Sequence, residues 1–159
     1  MEGPVFKGAA FEGYLDDGEG EEELELAPES FPVDRFKPIS ELGRGAGGSV
    51  YLCRDRLLGK KVAIKVLHVL TGEQLIAFQE EARVTNKLDH PRIVSILDFG
   101  STESGVPFMV LEYFPGETLR EHLDNNGHME EETARLVFLQ VIDGLAYAHK
   151  RGIFHRDLK

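Results

Sequence analysis

Strand-forming and helix-forming stretches are segregated along this chain, and that order limits its fold more than any other feature. Short runs rich in β-branched and aromatic residues lie at 50–53, 62–66, 93–97 and 108–111. Glycine and serine turns separate these runs, which predicts an antiparallel meander. Strands followed by helices favour segregated layers over a parallel βαβ sheet, so the predicted fold class is α+β.

Helical spacing of apolar residues predicts three helices, over 72–87, 119–123 and 130–150. The first is inserted among the strands, where Leu75, Phe78 and Ala82 recur at helical spacing. The second is predicted to end in a turn at 124–127. The third is predicted to end with Gly152 as its C-cap.

The net charge of −10 is concentrated at the start of the chain. Residues 1–33 hold ten acidic residues against one lysine, Lys7, a net charge of −9, while residues 34–159 hold 18 acidic and 17 basic residues. An acidic, glycine-rich segment with few apolar residues buries too little surface to offset its ordering entropy. We therefore expect a disordered leader at 1–33 that is dispensable for the fold. The alternative is an interaction arm that mimics a phosphorylated or acidic ligand.

Several classes of protein are excluded by composition. The single Cys53 allows neither an internal disulfide framework nor a CxxC metal site, and its use fits a reducing cytoplasm. No apolar run approaches the ~18 residues of a membrane span, and no basic-then-apolar signal peptide opens the chain. Because neither part of the chain has a basic surplus, we expect no nucleic-acid partner.

A glycine-rich turn precedes the first of these runs. Residues 43–50 read Gly-Arg-Gly-Ala-Gly-Gly-Ser-Val and fit the pattern G-x-G-x-x-G-x-V. Glycines let a backbone approach phosphates closely and direct N–H groups at them. A Rossmann site would need a helix directly after the third glycine, and a P-loop would need Gly-Lys followed by Ser or Thr. Neither pattern is present, which leaves a strand–turn–strand arrangement.

Lys65 ends an apolar strand, where an ammonium group is costly unless it is paired. Two acids, Glu80 and Glu81, lie on the helix that follows. At about 100° per residue, Glu81 flanks the apolar stripe of this helix, whereas Glu80 lies nearly opposite to it. We predict that Lys65 pairs with Glu81 and that Glu80 is exposed. The alternative for Lys65 is a solvated charge at a strand end.

Together with Ile-Phe-His-Arg-Asp-Leu-Lys at 153–159, these motifs form a specific set. The sequence resembles the eukaryotic-type serine/threonine protein kinases, because the glycine-rich loop, the Val-Ala-Ile-Lys strand, the helix glutamate and His-Arg-Asp-Leu-Lys occur in that family's order and spacing. The resemblance covers about 36–159 and is greatest to bacterial members. It implies a kinase N-lobe and hinge at 34–114, made of an antiparallel sheet plus one helix. It also implies the first helices of an incomplete helical C-lobe at 115–159.

The resemblance implies a role for each site residue. In catalysis, Asp157 would accept the proton of the substrate hydroxyl, Lys65 paired with Glu81 would hold the α- and β-phosphates, and Lys159 would steady the γ-phosphate. The residues implied in ATP binding are Leu42, Gly43, Gly45, Gly48, Val50, Ala63, Lys65, Leu111, Glu112 and Phe114. The glycines would cover the phosphates, and Leu42, Val50 and Ala63 would enclose adenine. Leu111 takes the gatekeeper position, with the Glu112 carbonyl and the Phe114 amide as hinge groups.

The Mg²⁺ ligands of the family are not among these residues. Protein kinases hold Mg²⁺ with an asparagine of the catalytic loop and the aspartate of a later Asp-Phe-Gly, and both would follow Lys159. An Asp-Phe-Gly at 98–100 precedes His155, with 57 positions from Asp98 to His155. We assign it no metal and predict that it is a strand end and turn. No residue of the chain is assigned as a metal ligand.

The implied activity is ATP-dependent phosphoryl transfer to serine or threonine hydroxyls of a protein substrate that the sequence does not identify. Because the Mg²⁺ ligands are missing, we expect the 159-residue chain to be inactive alone, as a kinase domain truncated after His-Arg-Asp-Leu-Lys. The alternative is a non-catalytic nucleotide-binding or interaction module, comparable to a pseudokinase. An intact Asp157 favours the kinase, since a decoy does not need it.

Overall fold

One antiparallel sheet forms the first half of the molecule. The structure, a computed structural model, describes residues 24–45, 47–68, 71–156 and 158. Its elements are β1 (Phe36–Gly45), β2 (Gly48–Asp55), β3 (Lys61–Val66), α1 (Gly72–Thr85), β4 (Ile96–Ser101), β5 (Pro107–Glu112), α2 (Leu119–Asn126) and α3 (Glu131–His149). The five strands are antiparallel neighbours in the order β1-β2-β3-β5-β4. The predicted α+β class, a sheet with one helix followed by further helices, is confirmed.

The alternating side chains of β3 divide the sheet into two faces. Val62, Ile64 and Val66 are buried on one face, called here the core face. Ala63 and Lys65 point to the other face, called the cleft face, because successive strand side chains alternate. Residues directly opposite one another in an antiparallel pair share a face. The partners of Ala63 and Lys65 on the neighbouring strands, also on the cleft face, are Val50, Leu52, Met109 and Leu111.

The last ten residues of the predicted leader are part of the folded body. Phe31 is 1% exposed in the core of the sheet, and its ring meets that of Tyr51 edge to face at 5.4 Å. The Thr102 hydroxyl donates to the Glu29 carbonyl at 3.0 Å. The expectation of disorder through residue 33 is therefore wrong for 24–33. That expectation rests on the acidic composition of the segment, whereas burial of the Phe31 ring holds the segment against the sheet. Residues 1–23 lie outside the described residues.

Arg35 joins two strands that are not neighbours in the sheet. Its guanidinium lies 2.9 Å from Asp55 at the end of β2 and 2.6 Å from Asp98 in β4. The rings of Phe36 in β1 and Phe108 in β5 also meet, at 6.2 Å. Strands three places apart can make such contacts only if the sheet curls around its core face. The Arg35 pairs therefore help to close the sheet over the core.

The Asp-Phe-Gly at 98–100 lies inside a strand. The strand predicted at 93–97 begins later, at Ile96, and runs on to Ser101, so the predicted strand end and turn at 98–100 is wrong. Phe99 is directly opposite Met109 of β5. A Cβ at Gly100 would lie 2.7 Å from the ring of Phe108, so glycine is needed there for packing.

The helices after the sheet begin and end close to the predicted positions. α2 continues through Asn126, beyond the predicted end at 123, because a capping box of Thr118 and Glu121 opens it and Gly127, at φ 77°, closes it. α3 ends in a Schellman motif at Gly152, which has φ 74°. There the Gly152 and Ile153 N–H groups donate to the carbonyls of His149 and Ala148. The C-cap residue itself is Lys150, two residues before the predicted Gly152, and Gly152 provides the left-handed turn that follows it.

Replacing Phe31 by alanine tests whether residues 24–33 belong to the folded body. We expect Phe31→Ala to lower the free energy of unfolding by about 3 kcal/mol, the usual cost of emptying a buried aromatic site. Leu57→Ala, at a side chain that is 77% exposed, is the control and should change it by less than about 0.5 kcal/mol. Equal effects in denaturant unfolding would contradict the packing of this segment.

Asp55 should make the stability depend on pH. Burial alone raises the pKa of this carboxyl, but hydrogen bonds from Arg35 and from the Leu57 and Leu58 N–H groups outweigh it and hold the pKa below its ordinary value. A lowered folded pKa stabilises the fold above the unfolded pKa of about 3.9, and this contribution is lost as pH falls through the folded pKa.

We therefore expect Asp55→Asn to cost about 2 kcal/mol of unfolding free energy at pH 7, as for hydrogen bonds to a charged group. The difference from the parent chain should begin to narrow below pH ~4 and continue to narrow as pH falls through the folded pKa, where the parent carboxyl also becomes neutral. Asp124→Asn is the matched control, since that side chain is 64% exposed on α2. A difference that stays constant from pH 7 to pH 3 would show that the charge of Asp55 is not involved.

Candidate functional site

Lys65 and Glu81 form the ion pair predicted from the sequence. The Lys65 Nζ lies 2.7 Å from Glu81 Oε1 and 2.9 Å from Oε2, so the ammonium donates to both carboxylate oxygens. Glu80 pairs with Arg83 of its own helix at 3.5 Å and is 57% exposed, also as predicted. The pair joins the central strand β3 to α1 on the cleft face. It is a cation held at a defined position beside an open face of the sheet.

The position of α1 is set by its buried side chains and its N-terminal cap. Phe78 and Ala82 pack against Met109 and Leu67, which brings Glu81 next to β3. Thr71 opens the helix through a capping box with Gln74. The Lys65 Nζ also lies 5.8 Å from the centre of the Phe78 ring, at the outer limit of a cation–π contact. Sequence reasoning recognised Phe78 as a core residue but missed this contact with the ammonium.

The glycine-rich turn is a hairpin between β1 and β2 that is closely packed on its β2 side, at Gly48, and open on its β1 side, at Gly43 and Gly45. Gly48 has φ 132°, and a Cβ there would overlap the Val66 carbonyl oxygen, so only glycine fits. At Gly43 and Gly45, a Cβ would meet nothing within 4 Å among the described residues. Glycine at position 48 is thus required by the backbone packing of the hairpin against β3. Gly43 and Gly45 leave space in which another molecule could approach the backbone.

Three of the predicted adenine contacts lie on the cleft face. Val50 is directly opposite Lys65, and Ala63 is directly opposite Leu111, so the strand register brings these side chains into adjacent rows. Leu42, in β1, is 47% exposed. The arrangement is an apolar surface that ends at the Lys65 ammonium and the glycine hairpin. Contact of these residues with adenine stays a prediction.

The predicted hinge follows β5. Glu112 is the last residue of that strand, where its N–H donates to the Ser95 carbonyl at 3.0 Å. Phe114, two residues on, is 57% exposed. The chain then passes to α2 through Gly116, which has φ 143°. Hydrogen bonding of this segment to a ligand is untested and stays a prediction.

Residues 90–93 connect the sheet half of the molecule to α3. The His90 Nε2 lies 3.4 Å from Asp143 Oδ2, and its ring is 4.7 Å from that of Tyr147. A Cβ at Gly144 would lie 3.4 Å from the Cβ and the carbonyl oxygen of Arg92, so the loop and the helix approach closely. Sequence analysis made no prediction for this contact. The i, i+4 spacing of Asp143 and Tyr147 alone does not reveal the contact.

The His-Arg-Asp-Leu-Lys motif follows α3. Arg156 has φ 60°, a left-handed conformation that is uncommon for a residue other than glycine. Asp157 and Lys159 lie outside the described residues, so their predicted catalytic roles are not tested by the geometry. The structure places His155 and Arg156 of the motif on the helical side of the molecule, after the loop at Gly152. Lys65 and Glu81 lie on the sheet side.

Comparison with known proteins assigns the family. The family model described as "Protein kinase domain" matches residues 36–159. The chain therefore belongs to the protein kinase family. Among its relatives, it is 37% identical over 128 residues to serine/threonine-protein kinase PrkC of Bacillus subtilis (strain 168) and 44% identical over 139 residues to serine/threonine-protein kinase pkn2 of Myxococcus xanthus. These matches cover 79% and 84% of the chain.

The same relatives are much longer than the chain, which spans 20% of PrkC and 16% of pkn2. Among solved structures, the crystal structure of the Mycobacterium tuberculosis PknI kinase domain matches with a TM-score of 0.67 and 26% identity. That match covers 86% of this chain and 56% of the PknI chain. The resemblance to serine/threonine kinases of mainly bacterial type is confirmed.

The described residues contain neither a cluster of metal ligands nor a helix that could span a membrane. Within the ranges the structure describes, three or more His, Cys, Asp or Glu side chains nowhere converge as they would to hold a metal ion. No helix in those same ranges has the length and apolar character needed to cross a bilayer. Asp98, in the early Asp-Phe-Gly, is held by Arg35. Its carboxylate thus has a structural role in the sheet.

Gly48 and Gly45 offer a matched test of the hairpin. We expect Gly48→Ala to lower the free energy of unfolding by about 3 kcal/mol or more, because the added Cβ meets a backbone carbonyl and the φ is unfavourable. Gly45→Ala should change it by less than about 0.5 kcal/mol, since the space there is open. Chemical denaturation measures both, and similar costs would contradict the close packing at Gly48 and the open space at Gly45.

Proposed function

We propose that the domain to which this chain belongs transfers the γ-phosphoryl group of ATP to serine or threonine hydroxyls of a protein. The observation that carries the proposal is the Lys65–Glu81 pair at 2.7 Å, set on the cleft face beside a glycine hairpin. Family membership supports the reaction class, and the serine/threonine kinases among its relatives support the acceptor. The protein substrate is not specified by any residue described above.

The surface fits an adenine nucleotide in shape and charge. Val50, Ala63 and Leu111 offer apolar contact for a flat base, and the Glu112 carbonyl and Phe114 amide follow them as hydrogen-bonding groups. Lys65 and the open backbone at Gly43 and Gly45 lie further along, where a phosphate chain would extend. In this proposal Leu42 closes the adenine site from β1.

Each polar residue then has a defined task. Lys65 binds the α- and β-phosphates, and Glu81 orients its ammonium by accepting two hydrogen bonds. Asp157 accepts the proton of the attacking hydroxyl, and Lys159 steadies the γ-phosphate. Phosphoryl transfer needs placement and charge neutralisation more than covalent chemistry, so these groups act by position.

Mg²⁺ would neutralise phosphate charge in the complete domain. We assign it no ligand among residues 1–159, because the family holds it with an asparagine and an aspartate that come after the His-Arg-Asp-Leu-Lys motif. A polypeptide of these 159 residues should therefore bind ATP without transferring phosphate.

The alternative function for the same surface is that of a non-catalytic nucleotide-binding module. The proposal places the domain in the cytoplasm, where ATP and a reduced Cys53 are both expected.

Substitution of Lys65 tests the nucleotide site. We expect Lys65→Met to weaken ATP binding by roughly tenfold, about 1.4 kcal/mol, and to leave adenosine binding unchanged, since only ATP presents phosphates to the ammonium. Mg²⁺ should add little to ATP affinity in the 159-residue polypeptide. Calorimetric titration with ATP and adenosine, each with and without Mg²⁺, measures these effects.

The matched control is Lys87→Met, an exposed lysine after α1. It should leave both affinities unchanged. Equal loss of ATP and adenosine affinity in Lys65→Met would argue against phosphate binding by this residue. Autophosphorylation by the purified 159-residue polypeptide, or a large Mg²⁺-dependent gain in ATP affinity, would contradict binding without transfer.

A further inference from the structure

An extra residue in β1 lies at the start of the glycine hairpin. The pairing of β1 with β2 passes from Glu41 opposite Tyr51 directly to Gly43 opposite Val50. Leu42, between them, therefore forms a β-bulge, an additional residue in one strand of an antiparallel pair. A bulge bends its strand and changes the direction of the side chains on it. This one occurs at a residue that the resemblance assigns to the adenine site.

The bulge brings two opposite charges to the same face of the sheet. In a regular strand, residues three positions apart point to opposite faces. Across the bulge, Glu41 is opposite Tyr51 and Arg44 is opposite Ser49. These two β2 residues are two positions apart and buried on the core face, so Glu41 and Arg44 also share that face.

Arg44 holds Glu41 through two hydrogen bonds that span the bulge. Its Nε donates to Glu41 Oε1 at 3.1 Å, and its Nη2 donates to Oε2 at 2.7 Å. The hydrogen bonds from Arg44 lower the pKa of the Glu41 carboxyl, so the pair is charged at neutral pH. Because this bidentate pair requires both side chains on one face, it favours the bulged register over a regular one. We call Glu41 and Arg44 the hairpin brace.

The bulge also determines which part of β1 lies on the cleft face. Gly43 is opposite Val50, which is itself opposite Lys65, so the open backbone at Gly43 lies on the cleft face. Without the extra residue, Leu42 would take the place opposite Val50, and Gly43 would turn to the core face. The hairpin brace lies on the core face, away from the surface assigned to the nucleotide.

We propose that Glu41 and Arg44 are positioning residues of the nucleotide site, acting through the bulge that their ion pair stabilises. The pair keeps Leu42 and the open backbone of Gly43 in the places that adenine and phosphate require, and neither charged side chain contacts the nucleotide. This role rests on the proposed function for its ligand. The bulge and the ion pair that spans it are features of the polypeptide alone.

A double-mutant cycle in the 159-residue polypeptide tests the role. Calorimetric titration with adenosine and with ATP is carried out on Glu41→Gln, Arg44→Gln and the double variant. We expect each single variant to bind both ligands about threefold more weakly, because a partly exposed ion pair contributes only modestly. The double variant should be no weaker than either single variant, since partners that act as a unit are not additive.

The matched control is a second ion pair with the same spacing. Glu80 and Arg83 pair at 3.5 Å on the exposed surface of α1. Glu80→Gln and Arg83→Gln should leave the affinities for adenosine and ATP unchanged. A loss equal to that of the brace variants would show that any exposed ion pair has this effect, which would overturn the positioning role.

The cycle also separates positioning from direct contact. If the Arg44 guanidinium bound phosphate, Arg44→Gln would weaken ATP more than adenosine, and Glu41→Gln would not weaken ATP. That result, losses that multiply to about ninefold in the double variant, or affinities that do not change would each overturn the proposal. A loss shared by both ligands and by both single variants supports it, and differs from Lys65→Met, which should affect ATP alone.

Amide hydrogen exchange without nucleotide tests the brace independently of the proposed function. We expect exchange at 42–45 to become severalfold faster in Arg44→Gln, because a weakened bulge opens locally, and to stay unchanged in Glu80→Gln. Unchanged exchange at 42–45 would overturn the brace. Failure of the parent chain to bind adenosine or ATP would contradict the proposed function, while the exchange result would still decide whether the ion pair holds the bulge.

Retained protection of the β3 and β5 amides shows that a variant is folded. If Arg44→Gln loses that protection, Arg44→Lys replaces it, because lysine keeps the charge but cannot donate two parallel hydrogen bonds to one carboxylate. Arg44→Lys should then give the same faster exchange at 42–45 and the same weaker binding of both ligands. Parent-like values in a folded Arg44→Lys would show that the bidentate geometry is not needed and would overturn the proposal.

Discussion

The side-chain alternation of β3 is the constraint on which the rest of this structure depends. Val62, Ile64 and Val66 fill the core face, so Ala63 and Lys65 must lie on the cleft face. A slip of one residue against β2 or β5 would exchange the two faces. It would bury an ammonium in the core and expose three β-branched side chains. The hydrophobic effect that fixes the register therefore also fixes the position of the cation.

The helix α1 places the carboxylate that pairs with this cation. Phe78 and Ala82 hold the helix on the sheet, and Glu81 follows from their position on the same helix. The ion pair lies between partly exposed side chains, so its contribution to stability is small. Its importance is geometric, because it orients the ammonium at the end of an apolar surface. Side-chain packing stabilises the position of α1 on the sheet, and the ion pair orients the Lys65 ammonium.

Local patterns predicted the ion pair of the site, and long-range contacts account for what they missed. The pairing of Lys65 with Glu81 follows from strand alternation and helical spacing, both of which are local. The burial of Phe31 does not, because its partner Tyr51 is 20 positions away and the acidic composition around it indicates disorder.

The early Asp-Phe-Gly shows the same limit. Its distance from the His-Arg-Asp motif correctly separated it from the later motif of the family. Its place inside β4, however, depends on pairing with β5 and on Arg35, which is 63 positions away. The Asp157 and Lys159 assignments derive from the resemblance alone. Spacing in a sequence identifies a motif, whereas its surroundings are set by residues remote in the chain.

The contact between residues 90–93 and α3 lies between Lys65 and Arg156, but not between Lys65 and Glu81. Lys65 and Glu81 both lie on the sheet side of the contact, and Arg156 lies beyond α3 on the other side. A rotation of the sheet half about the point where Arg92 meets Gly144 would change the distance from Lys65 to Arg156. It would leave the distance from Lys65 to Glu81 as it is. Such a rotation would change the separation between the sheet half and the helical half without breaking the ion pair.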